Sequence, residues 1–193
     1  MRLAPALALI VAASAAAPAL ADLVTNGGFE SGTTAGWSTF GSGGVFTPIA
    51  TSVIGENEAT FGSFVLQART AYTVAGIRQT LSAPAGSELA ITFWLGNRSS
   101  SSPNGFYAAL NGVQFAIQTN SNSFRLAEFT YTIPVTVDNP VLEFGFLHPN
   151  GTWVLDRVSA VNLVPVPGGV GVGLAGLLGV AGVAHLRRRR VAR

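Results

Sequence analysis

Between Asp22 and Asn162 the chain never keeps the 3.6-residue spacing of a helix for a dozen residues. Apolar and polar side chains alternate instead, in short runs parted by clusters of Gly, Ser, Asn and Pro. Successive side chains of a strand point to opposite faces, so each run makes a ribbon with one apolar side that another layer must cover. The clear runs are Glu88 to Gly96, Phe106 to Leu110, Arg125 to Ile133, Val141 to His148 and Thr152 to Val161. Weaker ones fall at Val45 to Ala50, Phe64 to Gln67 and Ile77 to Leu81. In the first run Ile91, Phe93 and Leu95 share one face, and Thr92 and Trp94 the other. In the third, Ala127, Phe129, Tyr131 and Ile133 oppose Glu128, Thr130 and Thr132. About eight to ten short antiparallel strands with regularly spaced turns specify an all-β fold, either a two-sheet sandwich or a barrel. A chain of this length buries about two thirds of its unfolded surface in one core. Trp37 and Trp153 are assigned to that core. Asn97 to Asn104, with its four consecutive serines, reads as a mobile polar loop.

Cysteine is absent, which excludes disulfide scaffolds, thiolate metal sites and cysteine nucleophiles. Charged residues make up 10% of the chain, too few for a charge-rich disordered protein. All 11 basic residues are arginine, and six of them lie at the two ends. From Asp22 to Val164 there are five arginines against nine carboxylates. A lysine-free, acidic middle binds phosphate poorly, so nucleic acid is excluded as a partner. No GxSxG, HExxH or P-loop occurs. His148, the one histidine outside the tail, precedes Pro149-Asn150-Gly151 and reads as a solvated turn side chain. Paired carboxylates for glycoside cleavage would have to be Glu56 with Glu58 or Glu128 with Glu143, yet strand carboxylates are ordinarily the wet face of a sheet. The middle is therefore expected to be non-catalytic.

The two ends read as addresses, dividing the chain into 1–21, 22–162 and 163–193. Arg2, an apolar stretch from Leu3 to Ala17 and the small-x-small site Ala19-Leu20-Ala21 are the parts of a secretory signal. Cleavage after Ala21 starts the mature chain at Asp22, outside the cytoplasmic membrane. At the other end Val164-Pro165-Val166-Pro167 leads into 19 residues, Gly168 to Leu186, interrupted only by His185. That is close to the ~20 apolar residues a transmembrane helix needs. Arg187, Arg188, Arg189 and Arg190 then hold the cytoplasmic side. This order of parts resembles the PEP-CTERM class of sorting signals. It matches the VPxP variant, because Val166 stands where the commonest form has glutamate. The resemblance implies an exosortase-type processing enzyme as partner and membrane anchorage through the C-terminal helix before processing. It also implies a final place at the cell surface or in the extracellular matrix. A plain tail anchor satisfies the same length and flank rules. Gly171-Val172-Gly173-Leu174-Ala175-Gly176 fits GxGxxG but lacks the preceding strand and following acid of a dinucleotide site, and is compositional.

The middle carries a resemblance of its own. Leu23-Val24-Thr25-Asn26-Gly27-Gly28-Phe29-Glu30-Ser31-Gly32, followed by Trp37 and Ser38, is similar to the opening of carbohydrate-binding-module jelly rolls of the galactose-binding-like superfold. Trp153-Val154-Leu155-Asp156-Arg157-Val158-Ser159 is similar to their last strand, with Arg157 where the family usually has an acid or amide. The resemblance implies a jelly-roll sandwich and a structural Ca²⁺ held by Glu30 and Asp156 with backbone oxygens near Gly28. Calcium takes six to eight oxygens at about 2.3–2.6 Å, for which two carboxylates plus carbonyls are a start. The competing reading has Glu30 capping a turn and Asp156 accepting backbone N–H groups without metal.

Sugar binding requires an exposed aromatic face ringed by hydrogen-bonding groups. Trp94 and Tyr107 are its candidates, with Arg98, Asn104 and Asn111 nearby in sequence. Ordinary sandwich packing accounts for the same aromatics. The expected role is an exported, non-catalytic binder or structural component of an extracellular polysaccharide layer. A matrix-directed glycoside hydrolase and a protein–protein adhesion module are the alternatives.

Overall fold

The computed structural model describes residues 21–121 and 125–163. Ala19, the Val164-Pro165-Val166-Pro167 tetrapeptide, the apolar run after it and Arg187 to Arg190 lie outside the described residues. Among the described residues no helix is long and apolar enough to cross a membrane.

The alternating runs form ten strands: β1 (Ser38–Gly41), β2 (Gly44–Ala50), β3 (Phe64–Thr70), β4 (Ala75–Thr80), β5 (Glu88–Asn97), β6 (Gly105–Leu110), β7 (Val113–Thr119), β8 (Ala127–Pro134), β9 (Val141–Leu147) and β10 (Trp153–Leu163). They make two antiparallel sheets, a front sheet in the order β1-β4-β9-β6-β7 and a back sheet in the order β2-β3-β10-β5-β8. The all-β fold expected from the alternation is thus observed, and of the two forms it allowed, sandwich or barrel, it is the sandwich. β1 and β7 are additions to the runs read from the sequence. β1 has only four residues, and β7 continues from β6 through Asn111-Gly112. That pair takes positive φ of 49° and 79°, as the tight turn of a hairpin requires. Asn111, a ligand candidate on sequence grounds, is therefore a turn residue.

Between the sheets lies a core of aromatic and aliphatic side chains. Phe93 packs edge-on against Phe144 with ring centroids 5.3 Å apart and touches Phe106 at 5.7 Å. Phe106 in turn meets Trp153 at 5.9 Å. Trp37 and Trp153 are both buried, as expected. A smaller cluster covers part of the back sheet's outer face. There a 3₁₀ turn (Thr51–Ile54) and a short helix, α1 (Glu58–Phe61), lay Ile54 and Phe61 over Val65, Val154 and Trp94.

Two expectations need correction. His148 is 1% exposed rather than solvated. Its Nε2 lies 2.9 Å from Asn97 Oδ1 and 3.1 Å from the Ser99 carbonyl, and two acceptors there place the proton on Nε2. The Asn97–Asn104 segment is anchored rather than free at its ends. Asn97 Nδ2 donates to the Ser121 carbonyl at 2.7 Å, and buried Asn104 accepts the Ser121 N–H at 2.9 Å. Backbone polar groups of two neighbouring loops, at Ser99, Ser101 and Ser121, are satisfied by these two amides, which is why polar side chains are buried there.

Candidate functional site

Two places on the sandwich hold chemistry. The first is where the chain's opening segment crosses its last strand. Phe29, at φ 55°, drops fully buried into the core against Trp37, 6.0 Å away, which turns the next side chain outward. Glu30 then accepts N–H bonds from Ser63 at 2.9 Å and Phe64 at 3.2 Å, at the head of β3. In β10 the pairing with β5 shifts between Asp156 and Ser159, and Arg157 sits at φ 48°. This bulge turns Val158 to donate to the Gly27 carbonyl at 3.0 Å. A Cβ on Gly27 would collide with the Val158 carbonyl, so only glycine fits there.

Asp156 lies beneath that crossing with no exposed surface, and neither carboxylate oxygen has a hydrogen-bond partner. Burial pushes its pKa up to about 8; the Arg157 backbone amide opposes this, the Glu30 charge raises it further, and the Arg157 charge lowers it again. The Arg157 guanidinium is drawn aside, its Nη1 donating to the Thr60 carbonyl at 2.9 Å. Glu30 therefore does cap backbone amides, but Asp156 does not. Among the described residues no cluster of three or more His, Cys, Asp or Glu exists. A cation here would rest on these two carboxylates and backbone oxygens. An orphaned buried carboxylate beside a second acid fits a hard, oxygen-seeking cation such as calcium.

The second place is the outer face of the front sheet. Phe40 of β1 pairs with Gly76 of β4, Gly76 with Gly145 of β9, Gly145 with Tyr107 of β6, and Tyr107 with Ile117 of β7. One row thus crosses all five strands with two glycines side by side at its middle. The Phe40 ring covers Gly76 and the Tyr107 ring covers Gly145, where a Cβ would collide with the ring. Both rings remain partly exposed. Their Cα atoms are three strand spacings apart, about 14 Å.

Beside this row stands a polar one. Arg78 Nη1 lies 3.8 Å from Glu143 Oε1, and the Arg78 guanidinium carbon is 6.0 Å from the Phe40 centroid. Burial, and then the negative charge of Glu143, raise the Tyr107 pKa. Rings laid flat on a sheet with a guanidinium and a carboxylate alongside can stack the C–H face of a sugar and hydrogen-bond its hydroxyls.

Of the residues nominated from sequence, Tyr107 occupies this face. Trp94 does not: it lies on the outer face of the back sheet, edge-on to Phe61 at 5.1 Å, beside a groove shared with Asp22, Thr92 and Glu128. Asn104 is buried, and Arg98 donates to the Ile54 carbonyl at 2.7 Å and lies 3.8 Å from Glu56. Glu128 and Glu143 stand on different sheets and form no pair. Phe40, Arg78 and the two glycines were missed. The available signal was the lone Gly145 inside the Val141 to His148 run, which marks close approach of another group; Gly76 stands just before the Ile77 to Leu81 run.

No family model matches the chain, and no curated protein does. Solved structures do. The CBM22-1 xylan-binding domain of Paenibacillus barcinonensis Xyn10C aligns with a TM-score of 0.56 at 16% identity, over 78% of this chain and 100% of that one. TmCBM61, solved in complex with β-1,4-galactotriose, aligns at 0.56 and 11% identity, over 74% and 99%. The enzymatically active domain of bacteriophage CBA120 tailspike protein 4 aligns at 0.55 and 14% identity, over 74% of this chain and 21% of that one. At these identities the likeness is one of fold alone, a two-sheet β-sandwich shared with those carbohydrate-binding modules and with part of the tailspike domain.

Proposed function

We propose that the sandwich is a non-catalytic polysaccharide-binding module whose ligand lies across the outer face of the front sheet. The observation that carries this reading is the row Phe40–Gly76–Gly145–Tyr107, two rings bedded on paired glycines with Arg78 and Glu143 beside them. A side chain at Gly145 would drive the Tyr107 ring off the sheet, and one at Gly76 would strike the Phe144 carbonyl as well as the Phe40 ring. Continued to Ile117, the row runs from edge strand β1 to edge strand β7, so a long polymer can enter and leave without threading an end. The structural likeness to modules described as xylan-binding and as bound to galactotriose supports the same ligand class.

Glu30 and Asp156 hold a structural Ca²⁺ with backbone oxygens near Gly28, and the ion ties the opening segment to the last strand. When bound, it supplies the positive charge that lets Asp156 stay ionised. The chain is exported through residues 1–21 and sorted by its tail through an exosortase-type enzyme to an extracellular polysaccharide layer.

Retention of the full-length protein on immobilised polysaccharides tests the binding face. Tyr107→Ala and Phe40→Ala should each weaken retention about tenfold or more, as loss of a central aromatic contact does. Trp94→Ala should leave it unchanged. The opposite pattern would move the ligand to the back sheet.

A further inference from the structure

The two flanks of the aromatic row differ in chemistry. On one side stand Ser38, Arg78 and Glu143. On the other, Val74 and Leu147, with Ile117 at the β7 end of the row, line a groove of about 170 Å³ whose floor is Gly145 and whose wall is the Tyr107 ring. Val74 is 45% exposed and Ile117 64%, so this groove keeps aliphatic surface in water. A sugar hydroxyl pressed against it would lose its water and gain no partner. A methyl group would gain contact instead. The groove is not wholly apolar: exposed Gln114 stands at its β7 margin and brings an amide N–H donor. Methyl contact beside an amide donor is what an acetyl group asks for, its CH₃ taking the aliphatic wall and its carbonyl the N–H.

We propose that this face selects polysaccharides carrying acetyl groups, seating the acetyl in the groove between Tyr107 and Val74. The proposal rests on the polysaccharide reading and narrows it. An apolar pocket that accepts one methyl-sized group discriminates about tenfold or more against the ligand lacking it.

The test uses full-length protein immobilised on beads, with xylan, galactan and xanthan each offered in acetylated and alkali-deacetylated form. The expected result is about tenfold tighter retention of at least one acetylated polymer over its deacetylated product. Val74→Asn, and independently Ile117→Asn on the exposed edge strand, should bring the acetylated form down to the deacetylated level. Chitin hexasaccharide serves as competitor: displacement extends the groove to amide-linked acetyl groups, and failure to displace confines it to esters. Equal retention of both forms overturns the acetyl proposal and leaves the polysaccharide reading standing. Retention of neither form of any polymer overturns both.

Discussion

At the scale of single residues, Asp156 and Gly145 make opposite demands on their surroundings. Asp156 is a carboxyl with no exposed surface, against whose burial the Arg157 backbone amide is too little compensation, so without a cation it keeps its proton to about pH 8, far above its ordinary range. The folded state then holds a proton that the unfolded chain releases, and stability falls as pH rises through that interval. In chelator the melting temperature should fall steadily from pH 5 to pH 8.5, and Asp156→Asn should flatten the profile. With calcium the ionised form is the favoured one, so added ion should stabilise most at the alkaline end. A flat wild-type profile in chelator would remove the basis for a charge-poor cation site. Gly145 is needed for its emptiness. Its backbone is one any residue can adopt, but a Cβ there strikes the Tyr107 ring. Gly145→Ala should therefore weaken polysaccharide retention about tenfold while shifting the melting temperature little, because the ring can swing into solvent. Of the residues in the two candidate sites, Glu30, Asp156 and Tyr107 were nominated from the sequence, the first two through resemblance and the third as an aromatic in an alternating run. Phe40 was not, because four residues rich in Gly and Ser give no alternation to read.

Among the elements, legibility followed length and contrast. β5, β8, β9 and β10 have seven or more residues with apolar faces turned to the core, and their pattern placed them within a few positions. β7 escaped because it is an edge strand whose outward Val113 and Ile117 are as apolar as an inward face, which erases the contrast. The polar loops misread for another reason. Burial of His148, Asn97 and Asn104 depends on partners in the 97–104 loop and at Ser121, and no local pattern encodes partners so far apart in the chain. The hairpin between β6 and β7 offers a local check. Asn111 holds positive φ at an exposed turn, so Asn111→Ala should lower unfolding stability by about 1 kcal/mol in denaturant while polysaccharide retention stays unchanged. Loss of retention in that variant would restore Asn111 as a ligand contact.

For the molecule as a whole, the two proposed addresses and the binding face make one expectation. Protein recovered from the surface of the producing cell should begin at Asp22 and lack Arg187 to Arg190, as intact-mass measurement will read. A variant without the four arginines should keep the remainder of its tail. Recovery of the complete tail on surface-exposed protein would leave a plain anchor as the better account. The route by which that tail leaves the sandwich has a mechanical side. β10 is the central strand of the back sheet, flanked by β3 and β5, and it runs to Leu163, where the tail begins. Asp22 bridges to Val161 on the same strand, so both ends of the domain meet there. A pull on the tail directed along β10 loads its nine cross-strand pairs with β5 together, in shear, instead of opening them one after another from an edge. A cell held to its matrix through this domain would thus be tethered by the strand most deeply set in its sheet, and drag would be shared across the ladder before any part of the fold yields.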